Sequence, residues 1–244
     1  MNRKHSNKNT FSFKNFTLNQ ADCTMKVTTD SILLGAWSNV IRAKNVLDIG
    51  TGTGILALML AQKNPHLVID AIEFDSTACS RAMENVRNNA IGRNITVLQT
   101  SIQEFNKIRF EYYDVIISNP PYFLDNLLPS DDSRKMARHT LYLSQEDLLK
   151  CVVNLLKKDG FFYLILPVHE GALLIEKIDK YGLFLVEKTE VCSKVGKNIT
   201  RFLLKLSRTK NDHPNKNILY IMEKESADYT VEFKNLTKDF YLNF

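Results

Sequence analysis

Val46-Leu47-Asp48-Ile49-Gly50-Thr51-Gly52-Thr53-Gly54 is an apolar run that reaches an acid and then a turn with a glycine at every second position. The run reads as a buried strand. Glycines are needed in such a turn where φ is positive or where a ligand touches the backbone. The spacing is G-x-G-x-G, not the G-x-G-x-x-G that seats a pyrophosphate on a helix N-terminus. Asp48 stands at the strand tip, where a carboxylate would repel a pyrophosphate and suit a cationic or amino-bearing ligand.

Outward from this turn, strand and helix alternate. Residues 55–62 read as a helix, 68–73 as a strand, 76–89 as a helix, and 95–98 and 113–118 as strands. A helix over 144–156 opens on Ser144, with Asp147 three residues on as in a capping arrangement. Residues 161–166 read as a strand closed by Pro167, and 170–180 as a helix. Segments 184–192, 199–207 and 217–223 then follow as successive strands. Strands spaced by helices imply a parallel sheet with right-handed crossovers, and the late run of strands implies an antiparallel edge. Residues 124–140 and 208–216 read as loops, the latter a mobile basic connection.

Two further features sit at strand ends. Glu73 closes the strand after the glycine turn, where an acid accepts hydrogen bonds from both hydroxyls of a ribose. With Asp48 and the glycines it fits S-adenosylmethionine, which carries an amino acid, a sulfonium and a ribose but no phosphate. Asn119-Pro120-Pro121-Tyr122 ends the strand 113–118. Paired prolines continue neither helix nor ladder, so the chain stops and stiffens there. Carboxyl ends of strands in an open α/β sheet are where ligands bind. The Asn119 side-chain carbonyl and the Pro120 backbone carbonyl are two acceptors suited to both hydrogens of a planar amino group. Tyr122 offers a face for a ring to stack on.

The chain has 244 residues, 44% of them hydrophobic, which suits one large α/β domain. No apolar run approaches the roughly 18 residues of a membrane span. The N-terminus is polar and basic without a signal-peptide core, so a cytoplasmic protein is expected. Cys23, Cys79, Cys151 and Cys192 form no C-x-x-C pair, which favours free thiols over disulfides or zinc. A net charge of +5 agrees with a polyanionic partner such as RNA without demanding one. The five histidines read as loop or surface residues rather than catalysts.

Residues 45–166 resemble the seven-stranded, Rossmann-like, class I S-adenosylmethionine-dependent methyltransferases. Asp48 to Gly54 match their cofactor motif, and Asn119 to Tyr122 match the motif of those that methylate exocyclic amino groups. The resemblance implies a mostly parallel three-layer sandwich with an antiparallel last strand. It implies cofactor contacts from Lys26, Thr28, Asp48, Gly50, Thr51, Gly52, Gly54, Glu73, Phe74, Ser101, Ile102 and Asn119. Ser101 stands where the family usually has an acid for the adenine amino group, leaving that contact to a hydroxyl or a backbone amide. The catalytic positions implied are Asn119, Pro120, Pro121 and Tyr122, with no metal.

From Phe11 to Ser207 the succession is similar to the bacterial tRNA1(Val) adenine N6-methyltransferase family, which modifies the adenine 3′ of the anticodon. The block Met25 to Trp37, with Thr28-Thr29-Asp30-Ser31-Ile32-Leu33-Leu34-Gly35, is its most discriminating part. The stretch from Tyr229 to Leu242 is similar to the version in low-GC bacteria. The resemblance implies tRNA as partner, with Tyr122, Phe123, Arg138 and Arg201 against the RNA. It divides the chain into an N-terminal extension and pocket lid over 1–44 and a methyltransferase domain over 45–244. Lys26 to Asp30 would belong to the lid, and Trp37 reads as core filler. For Lys26 and Arg201 a solvated surface role stands beside the functional one. Lys4, Lys8, Arg134, Lys135 and Arg138 are expected on phosphates. Monomer and homodimer both remain open.

Three other enzyme classes share parts of the pattern. A glutamine N5-methyltransferase carries a helical N-terminal domain, for which the about forty residues before the first strand leave little room. A ribosomal-RNA guanine N2-methyltransferase usually reads Asn-Pro-Pro-Phe. A DNA adenine methyltransferase needs a target-recognition domain. A binding module that kept the fold without turnover is the non-enzyme alternative.

Overall fold

The computed structural model describes residues 9–21, 26–120 and 143–244. A short hairpin, β1 (Thr10–Ser12) and β2 (Thr17–Asn19), precedes helix α1 (Thr29–Trp37). The chain then alternates: β3 (Asn45–Ile49), α2 (Ile55–Lys63), β4 (Val68–Glu73), α3 (Ser76–Arg87), β5 (Ile95–Gln99), α4 (Ile102–Phe105) and β6 (Tyr113–Ser118). After residue 142 come α5 (Gln145–Leu155), β7 (Leu156–Pro167), α6 (Val168–Ile175), β8 (Phe184–Lys194), β9 (Ile199–Ser207), β10 (Asn215–Met222) and α7 (Val231–Thr237).

The strands form one eight-stranded sheet in the order β10-β8-β9-β7-β6-β3-β4-β5. β5, β4, β3, β6 and β7 pair in parallel, and β9 runs antiparallel between β7 and β8. The order reverses beside β3, the first strand of this sheet along the chain, so the carboxyl ends of β3, β4 and β6 open a crevice. Register levels Ile49 with both Ile72 and Ser118, which sets Gly50, Glu73 and Asn119 side by side just beyond it. With strands roughly 4.8 Å apart, that row spans about 10 Å from Asn119 to Glu73.

α1, α2, α3 and α7 cover one face of the sheet, and α4, α5 and α6 the other. Leu47, Ile72, Ile116 and Leu164 are sealed on one side and Val46, Ala71, Ile117 and Ile165 on the other, as a doubly covered parallel sheet requires. Burying each larger aliphatic side chain is worth roughly 1.5–3 kcal/mol, so the two faces dominate the energetics. α1 lies tight against α2: a Cβ at Gly35 would stand 2.6 Å from Met59 Sδ. Lys63 closes the far end of α1, its Nζ donating to the carbonyls of Gly35 (3.2 Å), Ala36 (2.7 Å) and Ser38. Burial draws the Lys63 ammonium down to about 8, partly offset by Asp239. The expectation for Trp37 is met: half-buried, it meets the Tyr163 ring edge-on at 5.6 Å.

The expected class stands, with one strand beyond seven. β10 pairs with β8 in parallel, not as an antiparallel continuation. β7 and β8 already occupy both edges of β9, so the chain crosses to the free outer edge of β8. The connection expected over 208–216 ends at Pro214 and begins pinned, with Arg208 Nη1 on Glu111 Oε1 (2.6 Å) and on Leu156 O (2.9 Å). The helix expected over 170–180 starts directly after Pro167 and ends at Ile175, and a separate 3-10 turn spans Ile178–Tyr181. α3 stops at Arg87, before a 3-10 turn over Ala90–Asn94. Asn89 instead holds β2 through both its amide oxygen and its NH2, at 3.0 and 2.9 Å from the backbone of Thr17.

Candidate active site

The glycine turn adopts the backbone expected of it. Gly50, Gly52 and Gly54 have φ of +70°, +57° and +82°, a region costly for any residue with a Cβ. A Cβ on Gly50 or Gly52 would meet nothing within 4 Å, so the backbone there borders open space that a ligand can approach closely. The amides of Gly50 and Thr51 both donate to Ile72 O, at 2.9 and 3.0 Å, which ties the turn to the end of β4.

Asp48 is fully buried beneath this turn. Its Oδ2 accepts from Thr51 Oγ1 at 2.6 Å, and its Oδ1 has no partner among the described residues. Burial pushes the carboxyl up to about 7; the Thr51 hydrogen bond and the Ala57 amide oppose the shift, and the charge of Glu73 adds to it. A desolvated acid with one oxygen unspent is a place for a cationic or hydrogen-bond-donating ligand group. Open glycine backbone, orphaned carboxylate oxygen and a second acid at β4 together fit the amino acid and ribose ends of S-adenosylmethionine.

Glu73 braces the turn as well as facing the crevice. Gly52 N–H donates to its Oε2 and Asp75 N–H to its Oε1, each at 3.0 Å. Phe74 beside it leaves half its surface exposed. Ser101 caps α4, its Oγ accepting from Glu104 N at 3.2 Å, and Ile102 is a core residue that offers the site its backbone only. Asn85, unforeseen from the sequence, is a buried clamp. Its NH2 donates to Thr53 O and Asn19 O, both at 2.9 Å, and its oxygen accepts from Asn19 N at 2.8 Å. The glycine turn and the N-terminal hairpin are thus held by one side chain.

Asn119 stands at the mouth of β6, beside the buried Ser118, whose hydroxyl donates to Ile49 O at 2.9 Å. The Asn119 NH2 donates to Ser31 Oγ on α1 at 3.0 Å. Ser31 Oγ lies 3.3 Å from the hydroxyl of Thr28, the N-cap of α1. An amide whose NH2 is engaged in this way presents its carbonyl oxygen elsewhere. Arg201 at the start of β9 donates through Nε to Asp30 Oδ2 at 2.8 Å and through Nη1 to Thr200 O at 2.9 Å. It steadies the first turn of α1, a role the sequence did not disclose. Lys26 is exposed. Pro120 is buried, whereas Pro121, Tyr122, Phe123 and Arg138 lie outside the described residues, as do Lys4, Lys8, Arg134 and Lys135. Among the described residues no group of His, Cys, Asp and Glu is arranged to hold a metal ion.

A sheet with one antiparallel strand between parallel neighbours, a G-x-G-x-G turn over a buried acid and an Asn-Pro-Pro-Tyr strand end define a class I S-adenosylmethionine-dependent methyltransferase. A solved structure of a predicted O-methyltransferase from Agrobacterium tumefaciens shares the fold, with a TM-score of 0.63 at 19% identity over 86% of this chain and 96% of that one. The family model for the methyltransferase small domain matches residues 23–170. Relatives named tRNA1(Val) (adenine(37)-N6)-methyltransferase include one from Dyadobacter fermentans, 40% identical over 96% of this chain and 98% of its own length. Another, from Trichodesmium erythraeum, is 43% identical over 97% of this chain and 99% of its own. The chain belongs to the tRNA1(Val) (adenine(37)-N6)-methyltransferase family.

Proposed function

We propose that this chain methylates N6 of adenine 37, the base 3′ of the anticodon, in tRNA1(Val), with S-adenosylmethionine as donor. The names of its relatives support the substrate, and one contact supports the chemistry: Ser31 engages the Asn119 NH2 and leaves the carbonyl oxygen to face the reacting amine. When bound, the cofactor supplies an electrophilic methyl group on a sulfonium.

The amino nitrogen of adenine is a poor nucleophile because its lone pair is conjugated into the ring. Asn119 Oδ1 and the Pro120 carbonyl accept its two N–H bonds, favour a pyramidal nitrogen and stabilise the positive charge that develops on it. Aimed dipoles of this kind are each worth roughly 3–4 kcal/mol, a factor of about 10²–10³ in rate. Holding the nitrogen in line with the methyl group contributes further. The methylated nitrogen is acidic enough to release its proton to water, so the side chains nearby need not act as a strong base. Asp48 holds the amino acid end of the cofactor, the glycine turn leaves it room to approach the backbone, and Glu73 holds its ribose. Tyr122 and Phe123 stack on the base once it leaves the anticodon loop. Residues 1–44 act as extension and lid, and a tRNA substrate supports a cytoplasmic location.

Nucleoside mass spectrometry of tRNA from a strain lacking this protein tests the proposal, with the loss of one N6-methyladenosine expected. Unchanged N6-methyladenosine, together with no methyl transfer to total tRNA by the purified chain, would refute it.

A further inference from the structure

At the same edge of the sheet as Asn119, with its rim at Arg201 roughly 12 Å away, lies a recess of about 440 Å³ that the reaction above does not use. Its floor carries the rings of Tyr229, Phe233 and Tyr241, and its rim carries Asp30, Thr200 and Arg201. Tyr229 stacks on Phe233, with centroids 4.9 Å apart and planes 21° from parallel, and remains 39% exposed. Phe233 thereby holds one face of the ring, Phe244 meets it at a steep angle with centroids 5.3 Å apart, and surface on the residue stays open to solvent.

We propose that this recess binds the base of a nucleotide adjacent to the methylated adenosine, stacked on Tyr229. The inference rests on the tRNA reading. A ring-sized apolar floor with a few hydroxyl and charged groups at its rim has the chemistry of a small-molecule site. Single-stranded RNA bases are held by stacking on aromatic rings and on guanidinium planes. Continuity with the reaction centre selects the occupant. Asp30, on the rim, and Ser31, which holds Asn119, are consecutive in the first turn of α1. Ser118 is level with Leu164, and Pro167 with Arg201, so strand spacing puts Arg201 roughly 12 Å from Asn119. A base splayed from the nucleotide next to the target reaches the rim at Arg201, and the recess continues from there to Tyr229, which bridges to Met222 on the outer strand β10. The ion pair of Arg201 with Asp30 holds the guanidinium at the rim, where it adds polar edges and a flat face.

The test combines enzyme and RNA changes. Full-length tRNA is prepared intact, or with the base removed from either the 5′ or the 3′ neighbour of the target adenosine. Each is methylated by the parent enzyme, Tyr229→Phe and Tyr229→Ala. Removing a stacking ring is expected to raise KM for intact tRNA by about 5- to 150-fold in Tyr229→Ala, with Tyr229→Phe near the parent. Cofactor affinity, measured by calorimetry, stays at the parent value in both variants. One of the two abasic RNAs should raise KM by a similar factor for the parent and add nothing further for Tyr229→Ala. Parent-like KM in Tyr229→Ala, abasic and alanine effects that multiply, or loss of cofactor affinity in Tyr229→Ala would each overturn the subsite. Failure of the parent to methylate intact tRNA would instead overturn the activity on which it rests.

Discussion

Burial of Asp48 is expected to make this protein less stable as pH rises. In the unfolded chain an aspartate ionises near its ordinary value of 3.8, whereas in the folded chain this carboxyl holds its proton up to about 7. Between those values the folded state binds the extra proton, so raising the pH through the window favours unfolding. Each pH unit is worth about 1.36 kcal/mol, which gives about 4 kcal/mol across the window. Other carboxylates titrate over part of the same range, and a difference between parent and Asp48→Asn cancels them. The variant keeps an acceptor for Thr51 and cannot ionise. It leaves a buried amide donor near the unpartnered position, at a cost of about 1–3 kcal/mol. Urea unfolding of the cofactor-free proteins at pH 4.5 and pH 7.5 should show the variant gaining on the parent by about 2–4 kcal/mol between the two pH values. Parallel stability profiles would show that Asp48 is ionised in the folded chain and refute the reasoning. A cationic ligand group beside Asp48 favours its ionised form, so cofactor binding near pH 6 should release a proton, visible as calorimetric heats that depend on the buffer. Affinity should fall in Asp48→Asn and in Asp48→Ala.

Asn119→Ala should lose a factor of about 10² or more in turnover while cofactor affinity survives; single-turnover methylation and calorimetry separate the two. Ser31→Ala frees the Asn119 amide to rotate, and losing one such hydrogen bond should lower kcat by about 2- to 12-fold with KM for tRNA little changed. A fall in KM-dependent terms alone would show that Ser31 serves binding instead. Asn85→Ala removes three hydrogen bonds that join the glycine turn to the N-terminal hairpin. A loss of about 2–3 kcal/mol in urea unfolding is expected, and weaker cofactor binding should accompany it.

β3, β4, β6 and β9 begin and end where the sequence places them, because apolar runs there are bounded by a glycine turn, charged residues or proline. Those signals are local. Ser144 as the cap of α5 is legible for the same reason, its Oγ accepting from Asp147 N at 3.0 Å. The same kind of signal stands at Ser101-Ile102-Gln103-Glu104, a capping-box pattern that the reading of Ser101 as an adenine contact passes over; its hydroxyl serves α4. The pairing of β10 was not legible, because it depends on which sheet edge remains vacant after β9 is placed. The clamps at the site were hidden for a related reason. Ser31 and Asn119 are 88 residues apart and Asp30 and Arg201 are 171 apart, so nothing in either neighbourhood marks the partner. Chemistry at strand tips shows in a sequence; the side chains that aim it show only once the chain has closed on itself.

That closure joins segments from opposite ends of the chain. Phe13 and Phe16 share a core with Phe233 and Phe240. Lys14 reaches the carbonyls of Lys238 and Phe244 through Nζ, at 2.6 Å each, and that of Phe240 through its amide, at 3.0 Å. Residues 10–19 emerge from the ribosome long before 231–244 are polymerised. Until then the nascent hairpin keeps two phenylalanines without the rings that cover them. A chain lacking residues 231–244 would leave this aromatic seam open, an exposed apolar patch prone to association.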